Sequence, residues 1–176
     1  MKETLKFIFT VAIIVIPIRT FVAQPFIVKG PSMDPTFTTG HYLIVDELSY
    51  RFKNPERGDV IILKYPKDPK TFFVKRIIGL PGETVEIRDG KVSVTNKQGS
   101  TTPLKDDFID PKNKISDSSK TTLLDTEYFV MGDNRAQSSD SRHWGPLPRD
   151  LIVGRAFARL YPFSKINIFP GKINFD

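Results

Sequence analysis

The chain has no cysteine among its 176 residues. That excludes a disulfide framework, a zinc-thiolate site and a cysteine nucleophile. Histidine is nearly as scarce. His41 and His143 are the only two, so any histidine chemistry has to run through them. A long unbroken hydrophobic run is also missing: the longest uncharged stretch, Phe7 to Ile18, has 12 residues, short of the ~20 a spanning helix normally uses. No internal repeat and no nucleic-acid recognition motif is present. The formal charge of +6 is therefore assigned to an anionic lipid surface, with no nucleic-acid partner expected.

What is there begins at the N-terminus, where apolar residues concentrate. Apolar character resumes after Arg19 with "TFVAQPFIV". An arginine near a helix end can extend its head group to the interface and leave its stem in lipid. Leu5 to Ala23 is then long enough to span, and Pro17 is tolerable late in such a helix. A cleavable signal peptide fits less well, because cleavage after Ala23 would put bulky Phe21 where a small residue is needed. A buried core helix would need a polar face the segment does not have. Lys2 and Lys6 put the N-terminus in the cytoplasm and the remainder on the outer side.

After residue 28 the texture changes to short β-branched and aromatic runs separated by turn formers, the mark of an all-β domain. Strands are expected at 41–46, 59–65, 71–79, 84–89, 91–96, 127–133 and 152–161. "LPGE" at 80–83 reads as a type II turn with Gly82 at the position needing positive φ. "RDGK" at 88–91 reads as an Asp-Gly hairpin. Residues 97–126 are polar and nearly aperiodic, and read as a long loop excursion. Most of the 14 phenylalanines belong in the core, with some, and Trp144, expected at a lipid-facing rim.

Three places carry candidate chemistry. "KGPSMDPTF" at 29–37 sets Ser32 between Pro31 and Pro35, which stiffen the backbone, with Gly30 allowing close approach. A serine nucleophile needs a base. His41, which opens a strand, and His143, in a polar loop, are two options, each read more simply as a surface histidine. Lys75 is another. Strand alternation puts Phe73 and Ile77 on its face, and loss of water between them would lower its pKa. Arg76 claims the opposite face, so one of the two has to be wet. The third place, "GDNRAQSSDSRHWG" at 132–145, is dense in hydrogen-bonding groups. It reads either as a solvated loop held by an Asp140–Arg142 ion pair or as a scaffold that positions a base.

Taken in order, the apolar N-terminus, "PSMDPT", "RGDVIIL", "VKRIIGLPGE" and "GDNRAQSSDSRHWG" resemble the bacterial type I signal peptidases (leader peptidases). The resemblance implies a mostly β fold, a signal-peptidase-type coiled β-sheet domain with one N-terminal transmembrane helix. It implies Ser32 as nucleophile, Lys75 as general base, Ser138 as the residue that orients the lysine, and Asp140–Arg142 as a structural ion pair. The oxyanion would rest on the Ser32 backbone N–H, because Gly30 stands where some members carry a hydroxyl donor. Shallow pockets for small side chains would lie beside Ser32, with Ile27, Val28 and Met33 as candidates. Also implied are no metal or cofactor, signal peptides of exported preproteins as substrates, and a place in the bacterial cell membrane near the secretion translocon. The organisation expected is a cytoplasmic tip and anchor at 1–25 and an outer-face catalytic domain at 26–176. A self-cleaving repressor-type Ser/Lys protease would need a DNA-binding domain where the apolar segment lies. A non-catalytic signal-peptidase-like assembly factor would be expected to have lost Ser32 or Lys75.

Overall fold

In a computed structural model, residues 2–21, 23–105, 107–113, 116–173 and 175 are described, with side chains left out at 12, 14–21 and 23. The chain opens with a helix, α1 (Lys2–Phe21), and continues as strands β1 (Ala23–Ile27) and β2 (Tyr42–Asp46) and a single helical turn, α2 (Ser49–Phe52). The next strands are β3 (Val60–Tyr65), β4 (Asp68–Gly79), β5 (Thr84–Arg88), β6 (Lys91–Thr95), β7 (Thr101–Pro103), β8 (Ser119–Thr122) and β9 (Glu127–Met131). A second helical turn, α3 (Ser141–Trp144), precedes β10 (Leu147–Pro148), β11 (Ile152–Tyr161) and β12 (Asn167–Ile168).

The strands form two sheets. The larger runs β1-β2-β11-β3-β4-β9-β10 with β12 added to β11, and the smaller runs β7-β6-β5-β8. Every pairing is antiparallel. The "VIIL" run of β3 is apolar at every position because both faces of that strand are covered. Val60 and Ile62 pack with Val28, Met33, Phe37 and Val45 on one face, while Ile61 and Leu63 pack with Ile77, Val130 and Leu147 on the other. β9 does the same between layers: Tyr128 and Val130 face the large sheet's core, and Phe129 and Met131 face the small sheet.

The expected strands are present within three residues at each end, and the two turns form as read. Gly82 has φ +78, with Glu83 N–H donating to the Leu80 carbonyl at 3.1 Å. Asp89 and Gly90 both have positive φ (49° and 75°), which is what a type I′ hairpin requires. The 97–126 stretch, read as a loop excursion, contains β7 and β8, which flank the β5–β6 hairpin. These strands are held by threonine pairs with no apolar alternation: Thr84–Thr122 and Thr95–Thr101 hydroxyls meet at 2.9 Å. β1, β10 and β12 also escaped the pattern, being short or fused to the apolar N-terminus.

The N-terminal segment is helical, as expected, and the apolar side chains described on it (Leu5, Phe7, Ile8, Phe9) are exposed. Among the described residues, however, no helix is long and apolar enough to cross a membrane. Lys2, Glu3 and Lys6 in the first two turns and Arg19 near the end break the apolar length. Trp144 is half-buried against the core rather than standing at a rim.

Candidate active site

Ser32 sits in the connection between β1 and β2. The turn closes through Asp34 N–H to the Pro31 carbonyl at 3.0 Å, and Asn134 N–H donates to the Ser32 carbonyl at 3.1 Å. Residues a hundred positions apart are thereby fixed to each other by backbone alone. Met33 and Phe37 anchor the same turn in the core. Lys75 lies on β4, which pairs with β3 so that Lys75 is opposite Ile61.

Lys75 Nζ donates to Ser32 Oγ at 2.9 Å and to the Val74 carbonyl at 3.0 Å. Its ammonium sits 5.0 Å from the Phe73 ring centroid, on the face that alternation assigned to it. Only 2% of Lys75 is exposed. Burial pushes its pKa down to about 8; the Asp140 and Asp133 carboxylates oppose that shift, and Arg142 adds to it.

Arg76 is also buried, at 0% exposure, so neither of the neighbouring cations is wet. The expectation that one would be exposed treated β4 as a strand with one open face. Here both faces are covered, and Arg76 is neutralised in place. Its Nε and Nη2 bond the two Asp133 carboxylate oxygens at 2.8 and 2.6 Å. Nη1 reaches the carbonyls of Gly58 and Gly171, and Thr36 Oγ1 donates to Asp133 at 2.6 Å.

The loop after β9 folds back over this pair. Arg142 Nε and Nη2 bond Asp140 at 2.8 and 2.9 Å, and Nη1 bonds Asp117 at 2.8 Å. Asp140 also caps α3 through Arg142 N–H and accepts from Gly132 N–H at 3.0 Å. Burial works to raise its pKa, but the Arg142 guanidinium, with the Gly132 N–H and the Ser138 hydroxyl, outweighs burial and holds the carboxyl below its usual range. Ser138 is buried beside this pair. A Cβ on Gly132 would lie 2.3 Å from both Ser138 Oγ and the Ser32 carbonyl, so only glycine fits between them. Ser138 makes no hydrogen bond to Lys75. Its hydroxyl is turned to Asp140 and helps hold that carboxyl below its usual range.

Gly30 has φ +87, and a Cβ there would meet nothing within 4 Å. Its N–H donates to Thr39 Oγ1 at 3.0 Å. The Ser32 N–H has no protein acceptor among the described residues. The histidines stand apart from this geometry. His41 is buried, contrary to the surface reading, because it packs edge-on to Phe37 and meets the Thr38 hydroxyl at 2.9 Å. His143 is exposed.

A cavity of about 130 Å³ opens beside the serine, lined by Ser32 and Lys75 together with Ile27 and Val28. Met33 does not reach it and belongs to the core. Sequence reasoning missed Phe26, Lys29, Ile62, Phe72, Phe73 and Val74 as pocket residues, and these complete the wall. Phe72 and Val74 lie on the face of β4 opposite to the one that alternation assigns to Lys75, so strand periodicity alone did not point to them. Ile62 and Phe26 depend on register between strands, which the sequence does not show.

The signal peptidase (peptidase S26) family matches residues 1–161 of the chain. The chain belongs to the signal peptidase family. Within that family it is 37% identical over 169 residues to a protein named probable signal peptidase I-2 of Synechocystis sp., covering 93% of this chain and 74% of that one. It is also 37% identical over 155 residues to signal peptidase I V of Bacillus subtilis, covering 81% of this chain and 88% of that one. A crystal structure of a signal peptidase I from Enterococcus faecalis superposes with a TM-score of 0.49 at 29% identity, over 58% of this chain and 97% of that one. Membership makes the chain a peptidase by descent.

Proposed function

We propose that the protein is a membrane-bound serine endopeptidase that removes signal peptides from exported preproteins through a Ser32/Lys75 dyad. The observation that carries this reading is the 2.9 Å contact between a buried lysine amine and a serine hydroxyl on an immobilised turn. A lysine with its pKa pushed down to about 8 is partly neutral near physiological pH and serves as a base.

In the neutral form the Ser32 hydroxyl donates to Lys75 Nζ. The amine takes that proton as Oγ attacks the scissile carbonyl, giving a tetrahedral oxyanion and an ammonium. The Ser32 N–H is the donor offered to the oxyanion, and Gly30 supplies no hydroxyl. The ammonium returns the proton to the leaving nitrogen, and the C–N bond breaks to leave an acyl-enzyme. Water, deprotonated by the same amine, attacks the ester, and the serine recovers its proton. The Asp140–Arg142 pair acts by holding the loop over Lys75, and Ser138 lies buried in that loop. A cavity of about 130 Å³ is below the usual size of ligand pockets and suits the small side chains expected at −1 and −3.

The exposed apolar side chains of α1 support attachment to a bilayer. In this reading α1 and the apolar residues after it tether the protein to the bacterial plasma membrane, with the N-terminus inside and the sheets outside, where a translocon delivers signal peptides.

The deciding experiment is cleavage, in detergent, of a preprotein with alanine at −3 and −1 by wild type, Ser32→Ala and Lys75→Ala. The expected result is cleavage after the −1 alanine by wild type and none by either folded variant. Residual cleavage by Lys75→Ala would move the base elsewhere. A folded, lipid-supplied wild type that does not cut would favour a non-catalytic role.

A further inference from the structure

A second cavity, of about 460 Å³, lies beside Ser138. The smaller cavity sits mainly against the face of β4 that carries Phe72 and Val74. The larger is lined by Tyr65, Lys67, Gln137, Ser138, His143 and Trp144. Phe73 forms the partition. It lines the small cavity, and its other neighbour, Tyr65, stacks on it at 4.7 Å with 29° between the rings.

We propose that this larger cavity is a subsite for the first residues on the leaving, amine side of the scissile bond, and that it favours an acidic side chain there. The inference rests on the Ser32/Lys75 reading above. With the scissile carbonyl at Ser32 Oγ and the acyl-side methyl in the small cavity, the peptide advances roughly 3.3 Å per residue away from that cavity. Its leaving nitrogen has to meet Lys75 to receive a proton. Ser138 lines the larger cavity and is fixed beside the Ser32 carbonyl across Gly132, so the next residues enter there.

The chemistry of the lining points to an anion. Ser138 is only 5% exposed, and Trp144 Nε1 is buried without a hydrogen-bond partner among the described residues. An indole N–H can only donate, and an unpaired buried donor carries a desolvation cost that an incoming acceptor relieves. Lys67 is exposed at the mouth, with no carboxylate partner among the described residues. Among the described residues, no aspartate or glutamate lines the cavity.

The test uses the full chain in detergent and peptides that share the acyl side, with alanine at −3 and −1. They carry Glu, Gln or Lys at one of the three places past the bond. The expected result, read as kcat/KM, is a preference for Glu over Lys of about two- to fivefold, the size of an exposed charge pair. Lys67→Gln removes the preference and Lys67→Glu reverses it. The same reversal at Lys91, exposed on β6, leaves the preference intact. Trp144→Phe, which keeps ring packing, also weakens it. Equal cleavage of all three peptides, or a ratio indifferent to Lys67, overturns the subsite and leaves the dyad standing. Failure of the folded wild type to cut any peptide overturns both.

Discussion

The surroundings of Lys75 make it a poor cation. An exposed lysine keeps its proton to about pH 10.5, whereas burial brings this one to about 8. In the proposed dyad the base must be neutral, so kcat/KM is expected to rise with pH through about 8 and level off above it, well below the ordinary lysine range. The pH profile of peptide cleavage checks this. A break near the ordinary histidine value that vanishes in His143→Ala would reassign the base. Gly30 gives a second residue-scale prediction. Its φ of +87 is unfavourable to any L side chain, yet a Cβ there meets nothing. Gly30→Ala is expected to cost about 1–2 kcal/mol from backbone strain alone, read as a lowered urea midpoint with an unchanged slope.

β4 and the loop after β9 work as a unit. The strand puts two cations side by side, and the loop answers each with carboxylates: Asp133 to Arg76 directly, and Asp140, itself held by Arg142, to Lys75 through space. Arg76–Asp133 is dry at both ends. Removing one partner would leave a buried charge alone. Asp133→Asn is expected to destabilise by about 3–5 kcal/mol, and Arg76→Met/Asp133→Leu by less than the two single changes together, as measured by denaturant unfolding. Asp133 also holds the Lys75 pKa up. In Asp133→Asn protein that remains folded, the rising limb of the pH profile is expected to move to lower pH.

Across the whole molecule, the large sheet carries the lysine on β4 and the serine on its β1–β2 connection, while the small sheet packs against it through β9. The two meet at Gly79, where a Cβ would lie 2.4 Å from Val85 and 2.9 Å from Leu123. The described apolar side chains of α1 (Leu5, Phe7, Ile8, Phe9, Val11 and Ile13) are exposed and pack on neither sheet. If they are spent on lipid, the full chain co-sediments with vesicles containing anionic lipid, and Phe7→Asp/Phe9→Asp greatly weakens that association without altering the unfolding midpoint of the sheets. Equal sedimentation of the two proteins would remove the tether from the reading.

The sequence by itself determined the strands that alternate or bury both faces, and the turns at 80–83 and 88–91. It also singled out Ser32, Lys75 and the 132–145 loop as the places where chemistry concentrates. These are local signals: period two, φ demands of glycine, and density of polar groups after an apolar strand. Tertiary structure alone decided that Lys75 and Arg76 are both buried, because a second face is covered only when the distant β9 loop and Gly171 arrive. It also decided that β7 and β8 exist, since threonine hydroxyls pair only after register is set. Met33 was turned into the core while Phe26 and Ile62 were brought to the pocket, because which residues meet across strands is a property of pairing and not of any one strand.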